Sequence, residues 1–211
     1  MKIPDKISFS RIIIAVIIMI ILLFPFDSAG ITTYKIFINE TIVVDIKYLI
    51  VAALFIIGSI TDFLDGYYAK KHNCSTDFGK MIDAIADKIL IDSTLVLLAT
   101  IGFIHPAIAV IVLVRDVAVD SIKRYAASKG LIIGSSKLAK IKTILFMIAI
   151  SMILLYNLPF ELWNLKIADI VLVIATTMSI ISGIEYYNDI KTKWIWWIFI
   201  SDCWQIYIKF C

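Results

Sequence analysis

The stretch DFLDGYYAKKHNCSTDFGKMIDAIAD, residues 62–87, joins two long apolar runs, and four of its aspartates lie inside the ends of those runs. These are Asp62, Asp65, Asp83 and Asp87. A charged side chain inside a bilayer costs about 2.5–3.5 kcal/mol on insertion scales. Carboxylates at such positions therefore need cations or a water-filled cavity, and this makes them candidates for a functional site.

Apolar residues dominate the rest of the chain as well. Of the 211 residues, 61% are hydrophobic and 18% are charged, whereas soluble domains are about half apolar and about a quarter charged. The net charge of +3 is small, and three scattered cysteines provide neither a disulfide framework nor a zinc-binding spacing. The composition predicts an integral membrane protein in which the cysteines are unpaired thiols.

Six apolar segments are long enough to cross a bilayer, since a helical span needs roughly 20 apolar residues. They are residues 9–27, 48–70, 79–104, 107–127, 138–157 and 166–187. Backbone polar groups in lipid must pair within their own segment, so each segment is expected to be helical. The first could be a cleaved signal peptide, but the later runs are equally apolar, which favours a first span. We predict an all-α, polytopic membrane protein with a six-transmembrane-helix bundle.

The basic residues predict the orientation of this bundle. Lysines and arginines concentrate at the N-terminus, in the loop at residues 70–80, in the connection at residues 123–142 and in the tail. The opposite side carries only Lys35, Lys47 and Lys166. By the positive-inside rule both termini are expected to be cytoplasmic, with the protein in the cell (cytoplasmic) membrane and its site facing the cytoplasm.

The tail is expected to behave differently from the spans. Residues 1–190 would form one membrane domain, whereas residues 191–211 contain the run WIWWIFISDCWQIYIKFC, which is too interrupted to span comfortably. Tryptophan favours the headgroup region, so the tail is expected to form an interfacial aromatic helix.

Helical spacing predicts that the four aspartates converge. Asp62 and Asp65 are spaced i, i+3, and Asp83 and Asp87 are spaced i, i+4, so each pair shares a helix face. Both pairs lie about one to two turns inside the cytoplasmic surface, given a rise of 1.5 Å per residue. Gathered carboxylates repel one another without a cation, and hard ions such as Mg²⁺ or Mn²⁺ prefer oxygen ligands. Two ions per site would suit four carboxylates and phosphoryl displacement.

These residues resemble the motif of the CDP-alcohol phosphotransferase family, D-x-x-D-G-x-x-A-R followed after eight residues by G-x-x-x-D-x-x-x-D. The matching positions are Asp62, Asp65, Gly66, Ala69, Gly79, Asp83 and Asp87. Lys70 stands where the family has arginine, which keeps the charge but loses the bidentate fork. Residues 3–11, 76–80, 138–143 and 182–186 are most similar to the branch that uses glycerol 3-phosphate as acceptor.

The resemblance implies transfer of a phosphatidyl group from CDP-diacylglycerol to glycerol 3-phosphate, giving phosphatidylglycerophosphate and CMP. It implies a homodimer among membrane lipids, without nucleic acid. The metal ligands would be the four aspartates. The nucleotide would bind at Asp62, Asp65, Gly66, Ala69, Lys70 and Gly79.

Two further roles follow from position and charge. Asp87, one turn beyond Asp83, is expected to be the general base on the glycerol hydroxyl. The acceptor phosphate is expected to bind Arg115, Lys123, Lys140 and Lys142.

Several alternatives remain open at this point. Arg115 could pair with Asp116 or Asp120, and Lys140 and Lys142 could be positive-inside anchors. The aspartates could form a structural polar cluster or a divalent-cation transport pathway. Phosphatidylglycerol, serine or inositol phosphate could replace glycerol 3-phosphate as acceptor.

Overall fold

The computed structural model describes residues 3–26, 35–38, 42–72, 77–130, 137–158, 160–163 and 165–210. Within these ranges the α-helices are α1 (Ile3–Leu23), α2 (Ile46–His72), α3 (Asp77–Ile101), α4 (Pro106–Ser128), α5 (Lys137–Leu154) and α6 (Ile167–Phe210). Each of the six predicted segments corresponds to one of these helices, so the prediction of an all-α fold with six helices is confirmed for the described residues.

The chain between α1 and α2 forms strands, which the sequence analysis did not predict. Strands β1 (Lys35–Ile38) and β2 (Ile42–Asp45) pair antiparallel, with Lys35 opposite Asp45 and Ile38 opposite Ile42. Both strands are rich in β-branched residues, which favour extended structure. A 3₁₀ turn, Phe160–Trp163, precedes α6.

Helix α6 is longer than its predicted span. It continues without a break from Ile167 to Phe210 and is 44 residues long. The backbone of the aromatic tail is therefore helical and continuous with the sixth predicted span. The interfacial location of the tail stays a prediction, because the side chains beyond Thr192 lie outside those that the structure describes.

Helix α1 packs extensively against both α2 and α3, whereas α2 and α3 make few direct contacts within the described residues. Gly58 on α2 permits this packing. A Cβ atom added there would lie 3.2 Å from Leu90 Cδ2 on α3 and 3.7 Å from Ile14 Cγ2 on α1. Small residues allow such close approach of helices. Helix α1 therefore lies beside both of the helices that carry the predicted carboxylates.

The turn between α5 and α6 is held by Asn157. Its φ of 54° lies in the left-handed region, which Asn tolerates better than most residues. Its Nδ2 donates to the carbonyl of Leu165 at 2.6 Å, and its Oδ1 accepts from the backbone N–H of Ala168 at 3.1 Å. The side chain caps the start of α6 and fixes where that helix begins.

Large apolar side chains cover much of the outer surface. Ile20, Val114 and Ile170 are 60%, 65% and 59% exposed. Extended exposed apolar surface is rare in soluble monomers. Among helices in the described ranges, the stretch Ile167–Thr192 is long and apolar enough to cross a membrane, and Ser8–Leu23 is apolar but shorter.

Candidate active site

The structure brings Asp62, Asp83 and Asp87 together, as the helical spacing predicts. One carboxylate oxygen from each residue lies within 4.8 Å of the others. Asp62 comes from α2, whereas Asp83 and Asp87 lie one turn apart on α3. Their side chains are 23%, 43% and 29% exposed, so solvent or a ligand can reach the oxygens.

Several residues with predicted roles lie outside the side chains that the structure describes. The side chains of residues 63–78 and of residue 80 lie outside those that it describes. The fourth predicted metal ligand, Asp65, and the nucleotide-binding candidates Gly66, Ala69 and Lys70 belong to this group. Gly79 lies in the first turn of α3 and is partly buried.

Arg11 of α1 lies among the three carboxylates, and the sequence analysis did not assign it a place in the site. Its Nη1 is 2.9 Å from Asp62 Oδ1 and 3.3 Å from Asp83 Oδ1, and it also donates to Asp87 Oδ1. The arginine side chain is completely buried. Ser8, about one turn earlier on α1, donates to Asp83 Oδ1 at 3.2 Å. The sequence feature that could have indicated this role is the position of Arg11 in an apolar run, where an ionised side chain needs a partner.

The charges of this group do not balance. Three carboxylates against one guanidinium leave two negative charges when all are ionised. Grouped carboxylate oxygens are the ligands that Mg²⁺ and Mn²⁺ prefer. The donor set and its excess negative charge therefore fit a divalent cation site.

A cavity of about 680 Å³ adjoins the carboxylates. Asp62 and Asp87 line it, and so do all four residues predicted to bind an acceptor phosphate: Arg115, Lys123, Lys140 and Lys142. Asp92 also lines the cavity, although it is not part of the carboxylate cluster. One space thus connects an acidic group that can hold cations with a basic group that can hold an anion.

Asp116 organises the basic side of the cavity. Its Oδ1 is 2.5 Å from Arg115 Nη1 and 2.5 Å from Lys142 Nζ. Pairing of Arg115 with Asp116 was one of the open alternatives, and it is confirmed, whereas Asp120 pairs with Lys88. Arg115 and Lys142 carry two positive charges and Asp116 carries one negative charge, so one positive charge remains for a ligand.

The two lysines of α5 differ in their surroundings. Lys142 is 8% exposed, so it is not a surface anchor. Lys140 is exposed while it also lines the cavity. Its position is compatible with a contact to membrane phosphates as well as with a contact to a ligand in the cavity.

Comparison with known proteins identifies the class of this site. The family model described as CDP-alcohol phosphatidyltransferase matches residues 1–181. A Bacillus subtilis (strain 168) protein named CDP-diacylglycerol–glycerol-3-phosphate 3-phosphatidyltransferase is 39% identical over 187 residues, which cover 89% of this chain and 94% of that protein. A protein of the same name from Mycoplasma pneumoniae is 35% identical over 151 residues, covering 72% and 66% of the two chains.

The fold has a counterpart among solved structures. The apo crystal structure of Mycobacterium tuberculosis phosphatidylinositol phosphate synthase superimposes with a TM-score of 0.57 at 17% identity, covering 90% of this chain and 89% of that one. At this identity the likeness shows the fold alone. The family model and these relatives define the class of the protein, a transferase of membrane lipid synthesis. The chain belongs to the CDP-alcohol phosphatidyltransferase family, and it is accordingly a membrane enzyme of phospholipid biosynthesis.

Proposed function

We propose that this enzyme transfers the phosphatidyl group of CDP-diacylglycerol to glycerol 3-phosphate, giving phosphatidylglycerophosphate and CMP. The names of the Bacillus subtilis and Mycoplasma pneumoniae relatives support this acceptor. The observation that carries the proposal is the single cavity lined by the carboxylates Asp62 and Asp87 and by Arg115, Lys123 and Lys142. An acceptor that bears a phosphate explains why cations gather so close to the acidic group.

Asp62, Asp83 and Asp87 would hold Mg²⁺ or Mn²⁺, joined by Asp65 on the strength of the sequence motif. Four carboxylates are enough ligands for two ions, which is the number we propose. When bound, the ions neutralise the pyrophosphate of the donor and polarise the phosphorus that is attacked. The motif residues Gly66, Ala69, Lys70 and Gly79 would complete the nucleotide site with Asp62 and Asp65.

Asp87 would act as the general base. It lines the cavity and its side chain is 29% exposed, so an acceptor hydroxyl can reach its oxygen. The hydroxyl proton passes to Asp87 while the hydroxyl oxygen forms a bond to the β-phosphorus, the one that carries diacylglycerol. The bond between this phosphorus and the bridging oxygen breaks, and CMP leaves with that oxygen.

Arg115, Lys123, Lys140 and Lys142 would bind the acceptor phosphate through charge-assisted hydrogen bonds. Arg115 and Lys142 are held by Asp116, which fixes their nitrogens before the ligand arrives. Fixed cations lose less conformational freedom on binding than mobile ones, so the phosphate is bound more tightly.

We further propose six membrane spans with both termini and the active site on the cytoplasmic side of the cell membrane, and a homodimer. The exposed apolar side chains on the helices support the spans. The distribution of lysine and arginine supports the orientation. A cytoplasmic site would meet a lipid donor from the bilayer and a soluble acceptor from the cytoplasm.

An acceptor competition assay tests the proposal. Purified enzyme in mixed micelles would receive CDP-diacylglycerol, Mg²⁺ and, in separate reactions, glycerol 3-phosphate, phosphatidylglycerol, serine or inositol phosphate. We expect CMP release and lipid product with glycerol 3-phosphate only. Turnover with another acceptor but none with glycerol 3-phosphate would refute the proposed acceptor. Divalent-cation flux through liposomes without lipid turnover would favour transport, which the family membership does not support.

A further inference from the structure

Four residues on one face of α6 contact the cations of the cavity, and nothing in the reaction described above assigns them a role. Ser179, Ser182 and Tyr186 are spaced i, i+3 and i+7, so they share a helix face, and Gly183 is next to them. Ser179, Ser182 and Tyr186 are 1%, 0% and 2% exposed. We call these four residues the α6 stripe.

Each residue of the α6 stripe meets a specific cation. Lys142 Nζ lies 3.5 Å from Ser179 Oγ. Arg115 Nη2 donates to Ser182 Oγ, whose own hydrogen is directed to the carbonyl of Ser179 at 3.3 Å. The ammonium of Lys123 lies 4.1 Å from the ring centroid of Tyr186, within the range of a cation–π interaction.

Gly183 makes room for the arginine. A Cβ atom added there would lie 3.1 Å from Arg115 Nε and 3.5 Å from Arg115 Cγ. It would also lie 3.7 Å from Val119 Cγ2. The glycine therefore lets α6 approach α4 along the side chain of Arg115, and any larger residue must displace that side chain.

We propose that the α6 stripe positions Arg115, Lys123 and Lys142 for the phosphate of the acceptor. Ser182 and Tyr186 use neutral groups for this purpose. A second carboxylate beside Arg115 or Lys123 would cancel the charge that the phosphate needs. A hydroxyl and an aromatic face hold the cations while leaving their charge available. These are positioning residues, and the inference rests on the proposed function.

Kinetics of matched variants test the inference. The set would be Ser182→Ala, Gly183→Ala, Tyr186→Leu and Tyr186→Phe, with Ile184→Ala as a control on the same helix, where the side chain is 56% exposed. Ser182→Ala and Tyr186→Leu each remove a contact to a charged group, and Gly183→Ala displaces Arg115, so for all three we expect the KM for glycerol 3-phosphate to rise about tenfold. We expect kcat and the KM for CDP-diacylglycerol to change less than about twofold, because the contacts described for the stripe lie on the basic side of the cavity.

Conservative and binding controls separate positioning from packing. Tyr186→Phe keeps the aromatic face, so its KM for glycerol 3-phosphate should stay within about twofold of that of the unmodified enzyme. Affinity for inorganic phosphate, measured by calorimetry, should weaken in Gly183→Ala and Tyr186→Leu and not in Ile184→Ala. Unchanged KM and phosphate affinity in all variants would overturn the inference. The inference would also be overturned if a variant lost kcat and affinity for both substrates together with a lower Tm, since this would indicate a general packing defect.

The same experiment distinguishes this inference from the proposed function. If the unmodified enzyme does not use glycerol 3-phosphate, the proposed acceptor is wrong. Weakened binding of inorganic phosphate in Gly183→Ala and Tyr186→Leu would then still support the positioning role. If the unmodified enzyme uses glycerol 3-phosphate and these variants keep its KM, the positioning role alone fails.

Discussion

Replacing Arg11 by methionine tests how the carboxylate cluster is neutralised. The substitution introduces an apolar side chain of similar length and removes the guanidinium that contacts Asp62, Asp83 and Asp87. Removing one partner of a buried ion pair costs about 3–5 kcal/mol, because the remaining charge is left uncompensated. The carboxylates here are 23–43% exposed, and water partly compensates them. We therefore expect the free energy of unfolding to fall by about 3 kcal/mol, the lower bound of this range.

Thermal unfolding in detergent measures this loss. For a chain of this size, 1 kcal/mol corresponds to roughly 2–4 °C in Tm, so Arg11→Met should lower Tm by about 6–12 °C in the presence of a chelator. Arg124→Met is the matched control, since Arg124 is exposed on α4, and it should change stability by less than about 0.5 kcal/mol. Arg11→Lys keeps the positive charge but lacks the bidentate guanidinium, so its Tm should lie between those of Arg11→Met and Arg124→Met.

Added cation should rescue the methionine variant. A divalent ion at about 100 times its dissociation constant stabilises the folded state by about 2.7 kcal/mol. The Tm of Arg11→Met should therefore recover most of its loss as Mg²⁺ is added. A neutralising role for Arg11 would be refuted if Arg11→Met unfolded at the same temperature as the unmodified protein in chelator, or if Mg²⁺ left its Tm unchanged.

Three further predictions concern catalysis, cations and the α5–α6 turn. Asp87→Asn and Asp83→Asn should each lower kcat by at least about 100-fold, while the Tm and the elution volume stay near those of the unmodified protein. Near-normal rates in either variant would disprove the assigned roles. Treatment with EDTA should abolish CMP release, and Mg²⁺ or Mn²⁺ should restore it where Ca²⁺ or buffer does not; full activity in EDTA would contradict a metal requirement. Asn157→Ala should cost about 2–3 kcal/mol in thermal unfolding, since it removes a helix cap and places alanine at positive φ, and an unchanged Tm would contradict that role.

The helices of this protein were predictable because a bilayer restricts what an apolar run can form. Lipid offers no hydrogen bonds to the backbone, so runs of about 20 apolar residues form helices whatever surrounds them. The convergence of Asp83 and Asp87 was predictable for the same local reason, since residues four apart share a helix face. The grouping of Arg115, Lys123, Lys140 and Lys142 as candidate phosphate ligands was predictable from their charge alone.

Contacts that depend on helix packing were not predictable from the sequence. Spacing along α2 and α3 does not indicate that α1 lies against both, and therefore it did not place Arg11 among the carboxylates. The double pairing of Asp116 needs the long side chain of Lys142 on α5 to reach the level of Asp116 on α4, which hydropathy does not specify. The hairpin of β1 and β2 was missed because its strands are only 4 residues long, too short for a clear alternating pattern.

The proposed chemistry requires that carboxylates of α2 and α3 share divalent cations beside the basic cavity. Anomalous diffraction from crystals grown with Mn²⁺ and CMP tests it most directly. We predict anomalous peaks within coordination distance of the carboxylate oxygens of Asp62, Asp83 and Asp87. Mn²⁺ bound elsewhere in an enzyme that turns over under the same conditions, with no peak among these three carboxylates, would contradict the claim.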